Sequence, residues 1–250
     1  LISHCIVSTY EYWEYKVLNE NIGDKVRHII PSSEANVEYL GGKVLNADAM
    51  SEEYINNKTV KQYLDDEDCA VILFENPPYA ETTSAEHQRQ RQSKKSSTWK
   101  QSYVVTEMKK EVKGTASNDL GNVFIWSGFK YYLRQPTDSY IVYSPVKYWK
   151  AQHLIDRKFV KGFAYNRRHF HTNIDACIMC AYWQNIADSR KEIEIAAYDI
   201  DDNTGTLVSC GLLPVKQVFT TYSKIYYDKR PIPDEQRTGI LAGLNGLEKV

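Results

Sequence analysis

The run Ala70-Val71-Ile72-Leu73-Phe74, halted almost at once by Pro77-Pro78, constrains this chain more than any other stretch. Consecutive apolar residues at this length are the pattern of a strand covered on both faces, as inside a parallel sheet. Proline cannot donate to a sheet ladder, so the strand has to stop at Glu75-Asn76. Pro77 drives Asn76 away from helical angles, and Pro78 does the same to Pro77. The product is a stiff, extended Asn76-Pro77-Pro78-Tyr79 that holds an amide and an aromatic ring just past the strand. A plain strand-ending turn with a surface tyrosine would use the same letters.

Around this run the chain alternates between strand and helix patterns. Strands are expected over residues 4–9, 42–47, 138–144, 159–164 and 176–183, the last two as an antiparallel pair. Helices are expected over 11–20, with Gly23 as a stop, over 51–64, over 118–133, and from 145 to about 154. Residues 80–115 read as one long polar connection. Past residue 185, short strands at 191–198 and 207–209 flank a turn at 199–205, and 217–227 is a further strand candidate. The fold class that follows is α/β: a doubly wound, mostly parallel sheet of the Rossmann-like type in residues 1–185, with a strand-rich extension over 186–250. Ligands of such sheets bind at the carboxyl ends of strands, where Asp48, Asn76 and the Ser144-Pro145 corner fall.

Hydrophobic residues make up 42% of the 250 and charged ones 25%, which suits a packed domain and excludes wholesale disorder. A net charge of -1 excludes a protein that grips nucleic acid by overall charge, but it leaves room for local basic faces. Residues 80–115 hold eight Lys/Arg against four Asp/Glu, Lys94, Lys95 and Lys100 among them, so this connection is a candidate phosphate-contacting loop. Lys147, Lys150, Arg157, Lys158, Lys161, Arg167 and Arg168 form a second excess, opposed over that span by Asp156 alone. A solvated surface explains either excess without any partner.

No apolar run approaches the length of a membrane span, and the first residues lack the pattern of a signal peptide, so a cytoplasmic setting is expected. The chain begins at Leu1 rather than Met, which fits a segment of something longer. Cys177 and Cys180 have the spacing of a zinc or redox pair, but they sit in a strand where residues three apart face opposite ways, so free thiols are expected. His169 and His171 share one side of an extended segment without a third ligand, and Asp199, Asp201 and Asp202 lack the glutamate and glycine of a calcium loop. No metal site is expected.

The residue types at 76–79 suit one chemistry. An exocyclic base amine is a poor nucleophile because its lone pair is delocalised into the ring. The Asn76 amide oxygen and the Pro77 carbonyl can both accept from that amine, aim it and favour the positive charge that grows on it during attack. The proline carbonyl is fixed in place, which lowers the cost of reorganisation. Tyr79 can lie on a base drawn out of a duplex.

Residues Val71 to Tyr79 resemble the motif after the fourth strand in the γ-like amino-methyltransferases that act on DNA, in particular the adenine-N6 enzymes of bacterial restriction–modification systems. Val44-Leu45-Asn46-Ala47-Asp48-Ala49 resembles the family's preceding motif, and Asn122 to Leu133 and Ser139 to Pro145 resemble its next helix and strand. The resemblance implies S-adenosylmethionine as cofactor, with Asp48 on its adenine amine, and double-stranded DNA as substrate. It implies catalytic roles for Asn76, Pro77 and Tyr79, with Asn76 also lining the cofactor site. A second aromatic on the flipped base would be Phe170, with Phe163 as the substitute, and the ribose-binding carboxylate would be Glu11, with Glu14 behind it. It further implies a bacterial, cytoplasmic protein with a fused or associated restriction nuclease or specificity module. The family's glycine-bearing cofactor motif has no counterpart here. Cytosine-N4, RNA or protein targets, or a non-catalytic scaffold with a decayed methyltransferase fold, are the other readings. The enzyme reading needs Asn76 at a pocket and its strand within the sheet, not at its margin.

Overall fold

The computed structural model describes residues 1–10, 12–30, 39–40, 43–44, 47–77, 98–112, 116–150, 153–166, 177–201 and 203–218. Strand β1 (Ile6–Ser8) leads into helix α1 (Tyr12–Ile22), which returns the chain to β2 (His28–Ile30), parallel to β1 with Ile6 opposite His28 and Ser8 opposite Ile30. Ile30 and Ala47 are buried there, packed by Ile6, Tyr15, Tyr54 and Val60. The strand expected over 42–47 is reduced to Lys43–Val44 (β4), paired antiparallel with Tyr39–Leu40 (β3).

One helix was expected over 51–64; two form. Ser51 caps α2 (Glu52–Ile55) by accepting from the Tyr54 N–H at 3.1 Å, and Asn57 starts α3 (Lys58–Leu64) by accepting from the Thr59 N–H at 2.9 Å. The asparagine pair at 56–57 thus breaks the helix, since a capping side chain competes with helix continuation.

Strand β5 (Ile72–Glu75) carries the apolar run. The chain then crosses through α4 (Tyr103–Glu111), α5 (Leu120–Ser127) and a π-helical turn (Gly128–Tyr132) to β6 (Ser139–Pro145), parallel to β5 with Leu73 opposite Tyr140 and Glu75 opposite Val142. The part of the supposed loop at 103–111 is therefore a helix: Ser102 caps it, and Val104, Val105 and Met108 bury its inner side. After β6, α6 covers only Lys147–Lys150. Strands β7 (Arg157–Asn166) and β8 (Cys177–Ala187) form the expected antiparallel pair, and β9 (Glu192–Ile200) and β10 (Leu207–Lys216) extend the same sheet. The β9–β10 turn is an Asp turn: Asp201 Oδ1 accepts from the N–H groups of Asn203 and Thr204, and Gly205 closes it at φ +67°.

The six strands run in the order β10-β9-β7-β8-β6-β5. The sheet is open and mixed: β5–β6 and β7–β9 are parallel pairs, the other three antiparallel. The expectation of a mostly parallel sheet is corrected on this point, because the β7–β8 and β9–β10 connections are too short to carry a crossover. A second correction concerns β5. It lies at the margin of the described sheet, and on one face Ile72 is 62% and Phe74 63% exposed, while the Leu73 face is partly covered. An apolar run records what a strand can bury and does not count its neighbours. No helix among the described residues is long and apolar enough to cross a membrane.

One buried carboxylate ties this arrangement together. Asp138 is fully buried, and it accepts from the N–H groups of Val71 at 2.8 Å, Arg134 at 2.7 Å and Gln135 at 3.0 Å. The Arg134 guanidinium lies 3.4 Å away and itself donates to the carbonyls of Tyr63, Asp66 and Cys69. Burial alone would raise the Asp138 pKa; the three N–H donors and Arg134 outweigh it and hold the group below its ordinary value. Because the folded pKa is depressed, this stabilisation is present above the unfolded value and is lost as pH falls through the folded one. Asp138→Ala should cost about 3–5 kcal/mol in urea unfolding at neutral pH, by stranding buried donors and a cation. The deficit should shrink as pH falls through the folded pKa of Asp138, where the parent loses the same charge. A variant as stable as the parent at neutral pH would refute the assignment.

Candidate functional site

The end of β5 is built from three consecutive residues with different surroundings. Pro77 is buried and Asn76 is exposed, while the Glu75 side chain turns to the covered side with Leu73. Glu75 as a whole is partly accessible, but its carboxyl group is enclosed, and Oε2 accepts a hydrogen bond from the Tyr140 hydroxyl of β6. Burial pushes the Glu75 pKa up to about 7, against the lowering effect of the Tyr140 hydrogen bond. Tyr140 is itself buried and held from the side by Phe129, edge to face at 5.1 Å. A side chain at position 128 would meet it: a Cβ on Gly128 would stand 3.0 Å from both Leu73 and the Tyr140 ring.

Two further phenols belong to this enclosure. The Tyr132 hydroxyl is buried without a hydrogen-bond partner, and its pKa is pushed far up, chiefly by burial and then by Tyr54 and Glu75. Tyr54 on α2 is raised by burial first; its hydroxyl is hydrogen-bonded with Ser8, and the Glu75 charge raises it further. Tyr54 is therefore bonded to the carboxyl end of β1 and lies within electrostatic reach of Glu75 at the end of β5.

Asp48 stands near the same region. Its Oδ1 accepts from the Met50 N–H at 2.9 Å, its carbonyl accepts from Ser51, and its charge, after burial, raises the Tyr10 phenol just past β1. Of the two ribose candidates, Glu14 accepts a hydrogen bond from the Thr9 hydroxyl, and Glu11 lies outside the described residues. The structure thus brings Asp48 and the start of α1 together near the ends of β1 and β2, with Tyr54 between β1 and the charge of Glu75. Tyr79, Phe170, Lys94, Lys95, Arg167 and Arg168 lie outside the described residues, as do His169, His171 and Asp202.

The remaining basic candidates differ in character. Lys100 lies over the ring of its neighbour Trp99 at 5.5 Å. Lys147 is engaged by Asp119, Nζ to Oδ2 at 2.7 Å. Asp119 also caps α5 and accepts from the Tyr148 hydroxyl at 3.1 Å. Phe163, the substitute aromatic, belongs to a row of rings on one sheet face, against Tyr143, Tyr165 and Tyr198. The cysteines are free: Cys180 is buried, Cys69 and Cys177 are half-buried, and Cys5 and Cys210 are exposed. No group of three His, Cys, Asp or Glu placed to hold a metal occurs among the described residues.

The sequence reading missed Glu75, Tyr140, Tyr132 and Tyr54 as one group. Its trace in the sequence is an acidic residue at the end of an apolar run, which needs a donor if its side chain turns inward. Compared with models of protein families the sequence matches none, and no curated protein matches it.

The Asp119 contacts yield a test of Lys147. Asp119→Ala removes a helix cap, a phenol acceptor and the partner of Lys147, and should lower stability by about 2 kcal/mol in thermal or urea unfolding. Lys147→Ala breaks a half-exposed pair and should cost no more than about 1 kcal/mol. Equal losses would show that the ion pair, and not the cap, dominates.

Proposed function

We propose that this chain is the catalytic part of an S-adenosylmethionine-dependent DNA methyltransferase that acts on the N6 amine of adenine, within a doubly wound sheet of the Rossmann-like methyltransferase type. The observation that carries the reading is the end of β5. A buried proline fixes the backbone there, and Asn76, one residue before it, is presented outward at the carboxyl end of a strand in a parallel pair. Such ends are where α/β sheets bind ligands. The Glu75 charge at the end of β5 acts on Tyr54, which is also hydrogen-bonded with Ser8 of β1, so these two strand ends share one electrostatic surrounding.

The chemistry of the donor set suits the cofactor. Asp48 is a half-buried carboxylate, and an exocyclic adenine amine needs such an acceptor. When bound, S-adenosylmethionine supplies an electrophilic methyl group. Asp48 would hold its adenine, and Glu11 or Glu14 its ribose hydroxyls. Asn76 Oδ1 and the Pro77 carbonyl would accept the two N–H bonds of the target amine, leaving its lone pair directed at the donor. Tyr79 and Phe170 would stack on the extruded base, and Lys94, Lys95, Lys100, Arg167 and Arg168 would meet the phosphates. Lys147 is the weakest member of that set, because Asp119 already neutralises it.

The margin position of β5 in the described sheet and the exposure of Asn76 both go against the condition this reading set, and they are the observations that count against it. Ile72 and Phe74 are apolar residues on an uncovered strand side, and burying two such side chains is worth about 3–6 kcal/mol. Covering them takes a layer packed on that sheet face, since a strand added at the edge would pair with the β5 backbone in the plane of the sheet. The exposure of Asn76 also favours a second reading, a non-catalytic scaffold that keeps the fold, and one experiment separates the two. In a host carrying the full gene, genomic DNA should contain N6-methyladenine by nucleoside mass spectrometry. Asn76→Ala should lower kcat at least about 100-fold and leave cofactor affinity within a few-fold. Asp48→Ala should weaken cofactor binding about tenfold, near 1.4 kcal/mol. Methylation retained by Asn76→Ala would overturn the catalytic assignment, and no methylated base in the parent would favour the scaffold.

A further inference from the structure

We propose that Glu75 is a positioning residue whose carboxyl group, docked on Tyr140 among buried phenols, fixes the end of β5 and makes the placement of Asn76 and Pro77 dependent on one proton. The consequence for catalysis rests on the methyltransferase reading; the control of the strand end does not.

Three observations converge. First, Glu75 is the last residue of β5 and of its pairing with β6, opposite Val142, and among the described residues β5 is paired on one side only. The backbone it ends is the backbone that presents Asn76. Second, the carboxyl group is enclosed, and the titratable groups that face it are all phenols: Tyr140 from β6, Tyr132 from the π-helical turn and Tyr54 from α2. No cation among the described residues offsets its charge. Third, the Tyr132 hydroxyl is buried without a partner, so the enclosure has polar capacity it does not use.

A neutral carboxyl group sits in this enclosure at little cost. An ionised one is a buried charge supported by a single phenol, which is expensive. With Glu75 titrating at about 7, the change falls in the physiological range. The strand end has an easy way to relieve that charge: a marginal strand can lose its terminal pairing and admit water. Losing it moves Asn76 and the fixed Pro77 carbonyl off their line. The sign follows from the raised folded pKa. The stabilisation is complete below the unfolded value of the carboxyl group and is lost as pH rises through the folded one.

The test uses the full chain and a readout that needs no activity. Amide hydrogen exchange over residues 72–76, corrected for intrinsic rates, should lose protection about tenfold between pH 6 and pH 8, as the neutral fraction falls from about nine-tenths to about one-tenth. Glu75→Gln, which stays neutral, should show no such step. Tyr140→Phe removes the hydrogen bond that favours the ionised form, so it should move the step to higher pH. In the methylation assay, kcat should fall across the same range in the parent and stay flat in Glu75→Gln, with the cofactor KM unchanged in both. A parent whose exchange shows no pH step, or a Tyr140→Phe step that stays in place, overturns the proposal whatever the activity shows. A pH step present in exchange, together with no methylation at any pH, supports the strand-end control and overturns the methyltransferase reading.

Discussion

The fold depends on the Asp138 carboxylate, which stands where the chain turns into β6. Through the Val71 N–H it fixes the start of β5, and through its own carbonyl it accepts from Asn185 at 2.9 Å near the end of β8. Arg134, drawn in by the same carboxylate, gathers one carbonyl from the last turn of α3 and two from the segment after it. Asn185 extends the junction to β7, since its Oδ1 accepts from Arg157 at 2.8 Å. Four parts of the chain that are distant in sequence thus meet at one junction. The buried charge is tolerable because both oxygens are satisfied by donors whose own positions are fixed.

β5 is therefore held at both ends by acidic residues, and the two differ instructively. Asp138 is surrounded by backbone N–H groups and a guanidinium, which favour the ionised form strongly enough to overcome burial. Glu75 has one phenol and, among the described residues, no cation, so burial wins and its proton is retained to about neutrality. The same functional group is a permanent anion at one end of a four-residue strand and a titrating acid at the other. The number of donors decides the outcome, not depth alone. A strand anchored firmly at its start and conditionally at its end can move where Asn76 is, without disturbing the sheet behind it.

Much of this was legible in the sequence, and what was missed has physical causes. β6, β7, β8 and α1 were readable because their patterns match their burial; in β8, Ile178 to Ala181 are buried and the partner strand is close by in sequence. Helix α4 was hidden because Glu107, Lys109 and Lys110 dominate the composition of its segment, while Val104, Val105 and Met108 carry its packing. β2 was missed because His28, Ile29 and Ile30 are too few to show a period. The mixed sheet could not be read because strand direction depends on connections, and the open side of β5 because sequence does not report neighbours. At the site, the position of Asn76 followed from two prolines. Its lock did not, because Tyr140 is 65 residues away from Glu75 and nothing local links them.

The exposure of Asn76 is the point at which structure and chemistry have to be reconciled. An amide oxygen in open water already has donors, so it gains little by taking one more from a base amine. Two acceptors raise the reactivity of that amine only where water is excluded and the acceptors cannot relax away from it. Pro77 meets the second condition here: it is buried, and its ring fixes the backbone. The first condition requires a surface to close over Asn76, and the uncovered apolar side chains beside it, Ile72 and Phe74, are suited to pack against such a surface. Phe74 also meets Tyr143 edge to face at 6.1 Å, which continues the apolar ground from β5 onto β6. If the strand end is catalytic, cofactor and base must therefore arrive together with a dry wall on this side, because an exposed Asn76 supplies geometry without the electrostatic gain.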